Sequence, residues 1–248
     1  MMSEGITPQE KETQYIFDKK YTCPCCDKEF ISKTLKSGRV RRDESDMDLR
    51  PKAKGIDILK YQVIMCPNCG YSTLAQNYGH LSSLQIKLIR EKVSESFRPR
   101  PVAKTPIVTY DMALDAYIHA IKCSEARLGK QSEKAYLSLI VHWILDSKAE
   151  MEENADMKNM FLEKSEIFYR SAYDGFVKAI AEEYFPMAGM DETTIDYLVA
   201  YMAFHFGQLE VASKLLSQVL TNQMAPRRLK DRALELKDRI IDQIKNGK

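Results

Sequence analysis

Tyr21-Thr22-Cys23-Pro24-Cys25-Cys26-Asp27-Lys28-Glu29-Phe30 and Met65-Cys66-Pro67-Asn68-Cys69-Gly70-Tyr71 repeat one pattern, Cys-Pro-x-Cys behind a β-prone residue. The two-residue spacing lets both thiolates of a tight turn face one ion, and proline fixes φ inside the turn. Backbone N–H groups just past each cysteine can bond the sulfurs. Gly70 suits the positive φ that follows such a turn, and Asp27 is a tolerable substitute. Two such knuckles predict one Zn²⁺ held by Cys23, Cys26, Cys66 and Cys69. Four thiolates at about 2.3 Å leave no position for water, so the expected role is structural rather than catalytic.

Cys25 leaves a second reading open, either replacing Cys26 in a Cys-x-Cys chelate or remaining a free thiol beside the metal. Cys26 is preferred because it preserves the spacing and makes the first knuckle match the second. Strand signals at Glu29 to Thr34 and Tyr61 to Met65 predict a small antiparallel ribbon carrying the metal at one end. Between the knuckles runs a charged loop, Arg39 to Arg50. It reads either as solvated surface or as an anion site in which Arg39, Arg41 and Arg42 are oriented by Asp46 and Asp48.

Beyond the second knuckle, Leu81 to Phe97 predicts an amphipathic helix with Leu84, Leu88, Ile89 and Val93 on one face. Three prolines between Arg98 and Pro106 mark a linker. From Thr109 onward only helical periods appear. Thr109 is placed to cap a helix striped by Ala113, Ala116, Tyr117, Ala120 and Ile121 and closed by Gly129. Ser132 is placed to cap the next, which carries Trp143, and a long helix runs from about Ala155 to Tyr184. Leu198, Val199, Met202 and Phe206 mark a helix closed by Gly207; Ala212, Leu216 and Val219 mark its neighbour, and Pro226 starts the last. The helix pair from Ile195 to Leu220 resembles a tetratricopeptide repeat.

The expected class is therefore α+β, a small β-rich zinc-ribbon module followed by an all-α tetratricopeptide-like domain. Its divisions are a flexible segment at 1–20, the ribbon and its following helix at 21–97, a linker at 98–108 and the helical domain at 109–248. Combined with the Arg-rich then Asp-x-Asp loop, Trp143 and Asp196-Tyr197-Leu198, the knuckles make the chain resemble the bacterial family named domain of unknown function 2225. The resemblance implies this architecture and carries over no activity.

Composition narrows the function. The 248 residues, 44% apolar and 29% charged, support a packed core and exclude bulk disorder or a coiled-coil rod. No apolar run approaches the roughly 20 residues of a membrane span, and the polar start lacks a secretion signal, so the chain is expected in the cytoplasm without a membrane partner. Residues 1–109 hold 19 basic and 13 acidic side chains, leaving 18 and 22 for the rest, so two modules of opposite sign are expected. Phosphate-loop, nucleophile-elbow and His-Glu-x-x-His motifs are missing, and His80, His119, His142 and His205 are scattered. The chain is thus expected to be a non-enzymatic scaffold that binds a protein or peptide on its helices. The alternative is a nucleic-acid-binding zinc ribbon, with nucleic acid the weaker partner. A third reading is an enzyme with a site between the modules.

Overall fold

The structure, a computed structural model, describes residues 8–101 and 105–246. Residues 1–7 of the segment expected to be flexible, and 102–104 of the expected linker, lie outside the described residues. The fold is α+β: short antiparallel strands in the first third, then helices.

Each knuckle is the turn of its own two-stranded hairpin. Strand β1 (Ile16–Thr22) pairs with β2 (Glu29–Leu35), Tyr21 facing Phe30 and Thr22 facing Glu29, with the first knuckle between them. Strand β3 (Val63–Met65) pairs with β4 (Ser72–Leu74) across the second knuckle, Met65 facing Ser72. This corrects the expected single ribbon: β2 takes its partner from residues 16–22, of which 16–20 fall in the segment expected to be flexible. Helix α1 (Pro8–Thr13) precedes it.

Contacts divide the chain into two compact units. The first consists of Met1–Glu44, Pro51–Gly129 and Ile140–Glu166; the second of Ser45–Arg50, Lys130–Leu139 and Ile167–Lys248. This differs from the break expected at 98–108. The reason lies in β4, whose Ser72, Thr73 and Leu74 are all buried and need a cover. Helix α3 (Tyr110–Ala126) supplies it with a face of small residues, Ala113, Ala116 and Ala120. Ser72 Oγ donates to the Ala116 carbonyl at 2.7 Å, and the Tyr117 hydroxyl donates to the Leu59 carbonyl at 2.7 Å. As expected, Thr109 caps α3, its Oγ1 accepting from Met112 N–H at 3.2 Å. Helix α2 (Ser83–Ile89) continues into a π turn at Arg90–Ser94 and buries Ile89 and Val93, while Leu84 of the expected stripe is exposed.

Helices α4 (Gln131–Met151) and α5 (Ala155–Glu182) each contribute to both units. Ser132 does not cap α4 as expected but lies inside it. There its N–H and hydroxyl donate to the Glu183 carboxylate at 3.1 and 2.5 Å, so an anion from a distant residue serves the helix start. In the second unit α6 (Glu192–His205), α7 (Leu209–Thr221) and α8 (Arg227–Asn246) pack in succession. Gly207, with φ of 72°, turns α6 into α7. Asn222, after α7, donates to Thr193 near the start of α6 at 2.7 Å, which makes the pair antiparallel. The inner faces are Leu198, Val199 and Met202 on α6, Ala212, Leu216 and Val219 on α7, and Leu229, Ala233, Leu236 and Ile240 on α8. Among the described residues no helix is long and apolar enough to cross a membrane.

Candidate metal centre

The two hairpin turns superimpose residue for residue in their hydrogen bonding. Cys23 N–H donates to the Lys28 carbonyl at 3.0 Å, and Cys66 N–H to that of Tyr71 at 2.8 Å. Asp27 N–H closes on the Cys23 carbonyl at 2.9 Å and Gly70 N–H on that of Cys66 at 3.0 Å. Both closing residues are left-handed, with φ of 59° at Asp27 and 74° at Gly70. A further N–H two residues on serves the leading sulfur of each turn, that of Cys25 to Cys23 Sγ at 3.4 Å and that of Asn68 to Cys66.

These turns bring the sulfurs of Cys23, Cys26, Cys66 and Cys69 within 4.8 Å of one another. The cross pairs Cys23–Cys69 and Cys26–Cys66 stand at 3.5 and 3.7 Å. A disulfide would need about 2.05 Å, and all six cysteines are free. A tetrahedral ion with metal–sulfur bonds of about 2.3 Å requires sulfur–sulfur edges of about 3.8 Å. The four thiols therefore stand where a metal ion would be held. Without a cation they compete for protons. Hydrogen bonds from the Cys25, Cys66 and Cys69 thiols hold Cys23 well below the usual thiol range, while bonding to Cys23 raises Cys66 to about 11 and Cys69 higher still.

Cys25 is fully buried and stands outside the group of four. Its thiol is pushed upward by hydrogen bonding to Cys23 and by burial. Arg90 braces this turn, its Nε donating to the Cys25 carbonyl and its Nη2 lying 3.7 Å from Asp27. His80 is exposed and also outside the group. The rest of the shell is aromatic: Tyr78 packs against Tyr21, Phe30 and Tyr71 with ring centroids 5.5, 6.2 and 5.3 Å away. Its hydroxyl is buried beside Cys23. Burial and the neighbouring Cys23 keep that phenol protonated.

Cys123 carries a role its sequence position did not announce. From α3 its sulfur accepts Ser72 N–H at 3.4 Å and lies 3.7 Å from the Gly70 carbonyl, gripping the backbone just after the second knuckle. It continues the buried stripe Ala113, Ala116 and Ala120, which was the available signal. The charged loop divides differently from the anion-site reading. Asp46 and Asp48 belong to a strap, Ser45–Arg50, in the second unit. Arg232 donates to the Ser45 and Asp46 carbonyls at 2.5 and 2.8 Å, and the Tyr197 hydroxyl donates to Met47 O at 2.7 Å.

Fold and site together define an α+β protein whose paired hairpin turns bring four cysteines together in positions that could hold a metal ion. The model of the family described as an uncharacterized protein conserved in bacteria, domain of unknown function 2225, matches residues 16–240, and the chain belongs to that family. No curated protein and no solved structure matches the chain.

Proposed function

We propose that the protein binds one structural Zn²⁺ through Cys23, Cys26, Cys66 and Cys69, and that it acts as a non-enzymatic scaffold whose helices bind a protein or peptide. The observation behind the metal assignment is the sulfur spacing, 3.5 and 3.7 Å across the two turns, against the edge of about 3.8 Å that tetrahedral zinc thiolate needs. The backbone donors to Cys23 and Cys66, and the protonated Tyr78 hydroxyl beside Cys23, suit sulfurs that carry charge. Zinc would tie the two hairpins together, and with four thiolates bound it would have no open position for chemistry. The scaffold reading rests on the antiparallel pair α6–α7 and its neighbour α8, a tetratricopeptide-like succession whose solvent side keeps Val211, Leu234 and Ile241 exposed.

Metal analysis of protein purified without added metal tests the first part, with about one equivalent of zinc expected. Cys26→Ser should lose stoichiometric binding and Cys25→Ser retain it; the reverse result moves the ligand to Cys25. Cross-linking in native cytoplasm, with adducts mapped by mass spectrometry, tests the second. Adducts to one polypeptide concentrated on α6, α7 and α8 are expected, and recovery of nucleic acid instead would favour the zinc-ribbon alternative.

A further inference from the structure

The first unit contains a second chemical feature unrelated to the cysteines. A basin of about 530 Å³ is lined by Lys92 from the π turn, Ser96, Arg98 and Arg100 from the segment after it, and His119 and Lys122 from α3. Its charge is unbalanced. Arg100 is paired with Asp115 and lies over the Phe97 ring at 5.3 Å. Lys92, Arg98 and Lys122 have no ion pair among the described residues, and the lining offers them one acid, Glu125. The basin thus keeps an excess of about two positive charges.

Its floor is built rather than loose. His119 is only 9% exposed. Its Nδ1 lies 2.9 Å from the Asp115 carbonyl, so it is the protonated nitrogen, and its ring meets Phe97 edge-on at 5.5 Å. That leaves Nε2 with no hydrogen-bond partner among the described residues. The wall is equally fixed, because Arg100 N–H donates to the Pro67 carbonyl at 2.9 Å and Phe97 packs against Gly70.

We propose that this basin binds the phosphate group of a small phosphorylated organic molecule. A phosphomonoester brings close to two negative charges on one tetrahedral group, matching the excess, whereas a carboxylate brings one. The guanidinium of Arg98 and the two ammonium groups supply charge-assisted donors, and a guanidinium fork suits phosphate oxygens. A volume of about 530 Å³ exceeds what a bare anion fills and falls among pockets for small organic ligands. A nucleic-acid strand would need a longer cationic track, and here the cations converge on one basin. This inference does not rest on the metal assignment or on the scaffold reading.

The test uses the full-length, metal-loaded protein and calorimetric titration with adenosine monophosphate, glucose 6-phosphate and glycerol 3-phosphate. Each is paired with its dephosphorylated counterpart. Saturable one-to-one binding of at least one phosphomonoester is expected, with its counterpart not bound. Lys122→Glu and Arg98→Glu, both at exposed positions, should each weaken it about tenfold or more. Lys214→Glu on α7 makes the same change in net charge outside the basin and should leave it unchanged. Circular dichroism confirms that each variant is folded. Absence of saturable binding to all three compounds at millimolar concentration overturns the proposal, as does equal weakening by Lys214→Glu. Tighter binding of a short single-stranded oligonucleotide, lost in the same two basin variants, would also overturn it in favour of nucleic acid.

Discussion

Gly70 and Phe97 are in contact so close that a Cβ on residue 70 would lie 2.4 Å from the Phe97 ring, and Gly70 is also left-handed. Its counterpart Asp27 adopts the same conformation with a side chain that is mostly solvent-exposed. Adding a Cβ at 70 should therefore destabilise its knuckle, and removing the side chain at 27 should stabilise the other. Gly70→Ala should cost at least about 2 kcal/mol through backbone strain and the clash with an aromatic ring. Asp27→Gly should gain about 0.5 kcal/mol by relieving strain, since the ion pair it gives up is exposed and weak. Urea denaturation of the metal-loaded proteins measures both; a stable Gly70→Ala would show that the knuckle tolerates displacement of Phe97.

Metal removal should loosen the first unit beyond its hairpins. Cys123 and Ala126 of α3 share one buried cluster with Cys23, Cys66 and Cys69. Hydrogen exchange after chelation should therefore rise at residues 16–35, 63–74 and 110–126, while amides of α6, α7 and α8 stay protected. Continued full protection of α3 would mean that its packing on β4 stands without the ion.

Leu128 ends α3 with φ of 57° and is 78% exposed, so it bears left-handed strain without burying its side chain. Leu128→Gly should add about 1 kcal/mol and raise Tm by about 2–4 °C. The sequence placed the helix stop at Gly129, one residue late, because glycine is the usual left-handed residue there. An unchanged or lower Tm would show that Leu128 is held by something other than its backbone.

What the sequence disclosed were features whose chemistry imposes a spacing. The knuckles, the left-handed positions at 27 and 70, the Thr109 cap and the Gly207 turn all follow from local rules and stand as expected. Strand β1 was hidden because only Ile16 of its seven residues is buried, leaving no alternation to read. The Glu183 cap was hidden because its partner lies 51 residues away. The unit boundary was obscured by prolines after Arg98, whose local stiffness says nothing of the small-residue face by which α3 returns to β4.

Ser165 is another non-local case, 2% exposed between α4 and α5. Its hydroxyl bonds His142 Nδ1 at 2.7 Å, the His142 carbonyl at 3.2 Å and Asp146 Oδ1 at 2.5 Å. Ser165→Ala removes the shared partner of a buried histidine and a carboxylate and should cost about 1–3 kcal/mol. Denaturation midpoints check this, and a change below about 0.5 kcal/mol would show that His142 and Asp146 satisfy each other directly.

Asp196 on α6 gives a pH signature in the second unit. Burial, reinforced by Glu192, raises its carboxyl from the ordinary 3.8 to about 6. Well below pH 4 it is protonated in both folded and unfolded chains and costs nothing. Between pH 4 and 6 the unfolded chain releases this proton while the folded one retains it, so stability falls as pH rises. Above pH 6 the folded protein carries the whole cost of a half-buried charge, about 1 kcal/mol after allowing for solvent screening. Asp196→Asn keeps the shape and removes the ionisation. The variant should match the wild type near pH 4 and exceed it by about 1 kcal/mol near pH 7.5. Urea unfolding followed by helical circular dichroism at both pH values decides this. A variant destabilised equally at both would show that the aspartate serves the fold through a hydrogen bond rather than burdening it with charge.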